Sequence, residues 1–233
     1  MDTEAARDAA LGRTGIARRA PSSAHGITTA TRLSRAAKRA LDLAVAASGL
    51  VAGAPLLALI WLAVRLDSPG PGLLRQDRIG RHGRVFRMYK FRSMYVGAPV
   101  VLNPDGSTKS GVDDRRVTRI GRHLRGGLDE LPQLVNVLRG DMSMVGPRPE
   151  MSSQAHLYAP DERRKLDVRP GITSLAAVVG RNGIPWRERI AIDLRYLERW
   201  SLRLDLRIML QTLCLPLGIR LFTFRDILDE HRR

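Results

Sequence analysis

The 22 residues LAVAASGLVAGAPLLALIWLAV, Leu43 to Val64, carry no charge and constrain the chain more than any other stretch. About 20 apolar residues suffice to cross a hydrocarbon core, so a spanning anchor is the first reading. Pro55, near the middle, removes a backbone hydrogen bond and kinks a helix that contains it. The flanks are basic on both sides, with Arg32, Arg35, Lys38 and Arg39 before the run and Arg65, Arg75 and Arg78 after it. Short basic flanks stay on the cytoplasmic side, and here both ends ask for that side. A helix that enters, bends at Pro55 and leaves by the same face meets both demands. This re-entrant reading ranks ahead of a spanning helix, and a buried soluble helix ranks last.

The chain divides around this run. Residues 1–33 are rich in Ala, Arg, Ser and Thr without a hydrophobic period, which reads as a flexible basic tail. They hold no apolar core of the kind a secretory signal needs. Residues 34–67 form the membrane element, and SPGPG, Ser68 to Gly72, breaks it and opens a second region, 68–233. There LLRQDRIGRHGRVFRMYKFRSM reads as a hairpin turning around Gly80 to Gly83, with Val85 to Phe91 as a strand. Val96 to Asp114 reads as a polar, mobile loop. Helical spacing returns at Leu128, Leu131, Leu134 and Leu138. HLYAPDERRKL reads as a helix, and so does everything from Trp186 to Leu217, with apolar and arginine faces suited to a core or to a membrane interface. The fold class is α+β, predominantly α-helical, with amphipathic interface helices and one small β-hairpin.

Charge narrows the chemistry. A formal net charge of +16 and a pI near 11.3 point to an anionic partner: nucleic acid, an acidic membrane surface or a phosphorylated substrate. Aromatic residues are only 5% of the chain, too few for the interleaved stacking residues of a nucleic-acid reader. Cys214 is the lone cysteine, which excludes an internal disulfide and reads as a core thiol. The five histidines are scattered without metal-ligand spacing.

Within this basic chain, LDELPQLVNVLRGDMSMVGPRPE, Leu128 to Glu150, opens on two adjacent carboxylates, Asp129 and Glu130. With Leu128, Leu131 and Leu138 toward the core, the pair falls on the exposed side of a helix start. Acidic residues there complement the helix dipole, and that ordinary account suffices on position alone. The surroundings favour a second account. Gly126 and Gly127 let a ligand approach the backbone, and adjacent carboxylates can hold Mg²⁺ or attack phosphorus. Lys90, Arg92, Arg148, Arg169 and Arg181 supply phosphate-binding cations, three of them bounded by Gly or Pro.

Taken together, KRALDLAVAASGLVAGAPLLALIWLAVRLDSPGPGLLRQDRIGRHGRVFRMYKFRSM, LDELPQLVNVLRGDMSMVGPRPE and RPGITSLAAVVGRN resemble the bacterial sugar transferases, in their minimal, catalytic-core form. These are monotopic polyprenyl-phosphate phosphosugar transferases, and the resemblance runs from about residue 35 to 220. It implies a re-entrant helix broken at Pro55. It also implies transfer of a sugar-1-phosphate from a UDP-sugar to polyprenyl phosphate with release of UMP, at the cytoplasmic face of a bacterial inner membrane. Asp129 becomes the nucleophile that forms a covalent phosphosugar-aspartate, Glu130 its helper as base or metal neighbour, and Mg²⁺ the cofactor held by both. Lys90, Arg148 and Arg181 become active-site cations, and Asp193 a residue that orders one of them. The expected partners are a UDP-sugar, polyprenyl phosphate and membrane lipid, with a homodimer allowed and nucleic acid not expected.

Several positions depart from the family's pattern. Ala54 precedes Pro55 where some members have serine, two glycines stand before the dyad in place of a polar residue, and Arg125 lies one residue closer to it. Ser174, Leu175 and Ala177 alter a wall expected near the nucleotide or sugar. A catalytically impaired scaffold of the same fold is the alternative that these departures keep open.

Overall fold

The computed structural model describes residues 31–105, 107–109, 114–180 and 184–222; the expected basic tail up to residue 30, and Arg181, lie outside the described residues. The uncharged run sits in one continuous helix, α1 (Arg32–Asp67), with Pro55 inside it. Thr31 starts the helix by accepting a hydrogen bond from the Ser34 N–H at 3.1 Å. The most apolar window of α1 has a mean hydropathy of 2.2 and is only 11% buried, whereas a soluble core helix hides its apolar surface.

The buried residues of α1 fall into two groups, Lys38, Asp42 and Ala46 near one end and Ile60 and Val64 near the other. Spacing by four in each group makes a short stripe on one helix face. Ala46 packs in a cluster with Met88, Leu134, Val137 and Met142. Ile60 and Val64 pack with Phe91 and Leu124. Both ends of α1 are therefore fastened to one body, while the middle presents Val51, Leu56 and Leu59 outward.

After the SPGPG turn, β1 (Leu73–Ile79) and β2 (Val85–Phe91) form the expected hairpin, with Leu73 opposite Phe91 and Ile79 opposite Val85. Its turn is a short 3-10 segment, Arg81–Gly83, with positive φ at His82 and Gly83. The segment expected to be a polar loop instead displays apolar side chains, Val96, Val100, Val101 and Leu102, at its surface. Then follow α2 (Arg119–Leu124), α3 (Gln133–Arg139), β3 (Ser143–Val145), β4 (Gly171–Thr173), α4 (Leu175–Gly180), α5 (Trp186–Glu198) and α6 (Leu202–Cys214). Strands β3 and β4 pair in parallel. The main core gathers Val145, Leu175, Val178, Ile192, Tyr196, Leu197 and Ile208 between this small sheet and the last three helices.

Two expected helices are broken. The stretch HLYAPDERRKL spans the 3-10 turns Ser152–Leu157 and Glu162–Asp167, because Pro160 disfavours helical geometry in the residue before it. The C-terminal helix divides at Arg199–Ser201, where Ser201 accepts from the Leu204 N–H at 3.1 Å and starts α6 afresh. Along α6, Leu204 and Ile208 turn inward while Leu206, Leu210 and Leu213 stay exposed, an apolar outer stripe flanked by Arg203 and Arg207. Cys214, expected in the core, is half-buried.

Candidate active site

Gly127 sets the direction of the acidic pair. Its φ of 123° lies where L side chains rarely go, and its carbonyl accepts from the Glu130 N–H at 3.1 Å. The dyad then occupies a single 3-10 turn, Leu128–Glu130, rather than the first turn of a longer α-helix. This resets the phase of the apolar spacing and corrects an expectation. Asp129 is 7% exposed, whereas Leu128, expected in the core, is 42% exposed.

Each carboxylate meets one of the expected cations. Lys90 Nζ, at the end of β2, is 3.9 Å from Asp129 Oδ2. The Arg148 guanidinium is 3.3 Å from Glu130 Oε1. Burial pushes the Asp129 carboxyl above the ordinary carboxylate range; Lys90 opposes the shift, and Glu130 adds to it. Burial likewise lowers the Lys90 ammonium, against the pull of Asp129. For Arg148 the Glu130 charge prevails over desolvation and holds the guanidinium above its usual value. Asp193 reaches Arg148 through the backbone: its Oδ2 accepts the Arg148 N–H at 3.1 Å. Fully buried, Asp193 titrates at about 6, raised by desolvation and restrained by Lys165.

Two expected substrate cations have other duties. Arg92 directs its guanidinium to the carbonyls of Val64, Ser68 and Pro71 and to the Ser68 hydroxyl, at 2.6 to 3.2 Å. It lies beside the site but clamps the exit of α1. The Arg169 Nε donates to the Gly140 carbonyl at 2.7 Å, at the far end of α3 from the dyad, where a cation complements the helix dipole. Strand β2 ends at Phe91, so Lys90 and Arg92 do not share a face despite their spacing of two.

The sequence reading passed over Asn136, which is fully buried. Its Oδ1 accepts the Tyr89 N–H at 3.0 Å, and its Nδ2 donates to the Arg87 carbonyl at 2.7 Å. It therefore pairs with β2 as a short strand would, and fixes the residue next to Lys90 against α3, the helix that follows the dyad's turn. A polar residue on the apolar face of LVNVL was the available signal. Arg78 is the other omission: it donates to the Pro149 carbonyl at 3.4 Å, and burial next to Arg148 lowers it to about 10.

A cavity of about 580 Å³ opens beside the pairs, with Lys90, Arg148, Arg78, Arg116 and Arg189 in its wall. That volume suits a small-molecule ligand, and the lining suits an anionic one. Among the described residues no three His, Cys, Asp or Glu side chains gather into a metal cage. Asp129 and Glu130 are nevertheless adjacent hard-oxygen donors, which fits an ion of the Mg²⁺ kind that keeps most of its shell for substrate oxygens and water.

Residues 33–217 match the family described as bacterial sugar transferase. The UDP-glucose:undecaprenyl-phosphate glucose-1-phosphate transferase of Caulobacter vibrioides is 46% identical over 184 residues, 75% of this chain and 67% of that protein. The undecaprenyl-phosphate galactose phosphotransferase of Salmonella typhimurium is 39% identical over 195 residues, 78% of this chain but only 41% of that protein. The exopolysaccharide production protein ExoY of Rhizobium meliloti is 39% identical over 197 residues, 78% of this chain and 87% of that protein.

Proposed function

Because the chain belongs to the bacterial sugar transferase family, we propose that it is a phosphotransferase that moves a sugar-1-phosphate from a UDP-sugar to a polyprenyl phosphate. The observation that carries this reading is the buried Asp129, faced by Lys90 and neighboured by the Glu130–Arg148 pair, with Lys90 and Arg148 both in the wall of a basic cavity. Relatives named for undecaprenyl-phosphate glucose and galactose transfer support the same chemistry.

In the first step an Asp129 oxygen attacks the β-phosphorus of the UDP-sugar. The bond from that phosphorus to the bridging oxygen breaks, and UMP leaves with the bridging oxygen. In the second step a phosphate oxygen of the polyprenyl phosphate attacks the same phosphorus and the bond to Asp129 breaks. The product is polyprenyl diphosphate-sugar, and the carboxylate is restored. No net proton is consumed if the acceptor enters as a dianion. Lys90 opposes the desolvation that disfavours the Asp129 carboxylate and, with Arg148, draws the diphosphate toward the dyad. Glu130 holds the Arg148 head, and Asp193 holds its backbone. Mg²⁺, taken up by Asp129 and Glu130, would offset charge on the diphosphate.

The re-entrant placement of α1 belongs to the same proposal. A straight helix separates Ala46 from Ile60 by about 21 Å, yet their packing partners Met88 and Phe91 stand three residues apart on one strand, about 10 Å. These distances and Pro55 near the middle of α1 support a bend there, which would put the exposed apex in lipid and the site on the cytoplasmic face of the inner membrane. Labels placed on both termini in sealed membranes are expected on the same side; opposite sides would mean a spanning helix.

The decisive experiment is UMP release from a panel of UDP-sugars with polyprenyl phosphate, comparing the wild type with Asp129→Asn. An amide cannot carry the phosphosugar, so release is expected to vanish. Undiminished release would remove Asp129 from the nucleophile's role.

A further inference from the structure

The cavity beside the dyad has a mixed lining: cations, Lys90 and Arg148 among them, together with the apolar faces of Tyr95, Val96 and Val100. Val96 and Val100 are 63% and 58% exposed, more than a folded loop needs to leave in water when polar residues would serve. Val96 also touches the turn that closes α1: a Cβ on Gly70 would meet Val96 Cγ2 at 2.5 Å. Two residues on, Gly72 lies against Trp61 of α1, where a Cβ would be 2.6 Å from the ring. Leu62 and Leu66, on the last turns of α1, are exposed as well. An apolar surface thus runs from the end of α1, past Gly70, into the wall of a cavity that also carries cations.

An occupant that matches this lining and its continuation onto α1 has an apolar tail and an anionic head. A nucleotide-sugar offers a uracil face but no hydrocarbon chain to continue onto the exposed end of α1, and an acidic peptide lacks such a chain too. We propose that Tyr95, Val96 and Val100 form the subsite for the proximal isoprene units of the polyprenyl phosphate, guiding its phosphate toward Lys90 and Arg148. This inference rests on the phosphosugar transfer proposed above and adds the route by which the lipid acceptor reaches Asp129.

The test uses the full chain in detergent micelles and measures UMP release with one UDP-sugar and two acceptors, a long polyprenyl phosphate and a short, water-soluble prenyl phosphate. In the double variant Val96→Asn/Val100→Asn, kcat/KM for the long acceptor is expected to fall about tenfold, the loss for roughly two methylenes of apolar contact. For the short acceptor it is expected to change much less, so that the preference for chain length collapses. The apolar control Val96→Leu/Val100→Leu keeps the preference, and an unchanged unfolding midpoint shows that both variants fold. Equal losses with both acceptors, or an undiminished preference in the asparagine variant, would overturn the subsite while leaving the transferase reading intact. No UMP from the wild type with any acceptor would overturn both.

Discussion

Replacing Lys38 with methionine would withdraw the cation that ties the first half of α1 to the rest of the protein. Lys38 Nζ is 2.7 Å from Asp205 Oδ2 and 3.9 Å from Asp42 Oδ1, and it donates to the Val145 carbonyl at 3.1 Å. The Asp205 side chain is 1% exposed and also accepts from the Tyr196 hydroxyl and the Trp200 indole N–H. Burial raises its carboxyl, and Lys38 is the strongest opposing influence. Without Lys38 a buried carboxylate has lost its cation, which costs about 3–5 kcal/mol. At about 2–4 °C per kcal/mol for a chain of this size, the unfolding midpoint should fall by roughly 6–20 °C. Thermal unfolding of the full chain in detergent, at one scan rate, is the assay. Arg164→Met supplies the control: its ion pair with Glu198 is 38% and 40% exposed, and its loss should cost about 0–1 kcal/mol. Adding Asp205→Asn to Lys38→Met keeps one of the two acceptor oxygens that Tyr196 and Trp200 use while removing the orphaned charge, so the double variant should recover much of the loss. Acid should narrow the deficit too, since a protonated Asp205 needs no cation. A Lys38→Met loss no larger than that of Arg164→Met, or a double variant worse than the single one, would refute this account.

Asn136→Ala leaves the Tyr89 N–H and the Arg87 carbonyl without their partner, at a cost of roughly 2–5 kcal/mol. As Lys90 loosens from Asp129, the acid limb of UMP release should move to higher pH; a limb that stays in place would show that Asn136 only supports the fold. Asp193 carries the opposite lesson about charge. Its folded value, about 6, stands above the ordinary 3.8 of an aspartate, so the unfolded chain loses that proton first and stability falls as pH rises through this window. Asp193→Asn keeps an acceptor for the Arg148 N–H and should remove a penalty of up to roughly 3 kcal/mol at neutral pH. Parallel stability curves for the two proteins from acid to neutral pH would exclude that penalty.

The elements easiest to read in the sequence were those whose signals are local. An uncharged run of membrane length, a Gly-bounded turn between alternating segments, and GPRP after a helix stop need no distant partner to be recognised. Periodicity misled where a distant constraint interrupts it. Leu128 shares the spacing of Leu131 and Leu134, yet the 3-10 turn after Gly127 rotates it outward and buries Asp129 instead. Strands β3 and β4, three residues each, are too short to alternate and exist because they pair. Among the cations, residue type could not separate Lys90 and Arg148, which face the dyad, from Arg92 and Arg169, which hold carbonyls at helix ends. Only the fold distributes those partners.

The two glycines before the dyad differ in how much history they can absorb. A Cβ at Gly126 meets nothing within 4 Å, and its φ is not among the positive ones, so that position is open to drift. Gly127 has equal room around it but a φ of 123°, and any other residue there incurs backbone strain of roughly 1–3 kcal/mol. In this chain, therefore, a side chain is easily accommodated at Gly126 and strained at Gly127. A chain with a polar residue in that place has to enter its dyad through a different backbone turn from the one Gly127 makes here.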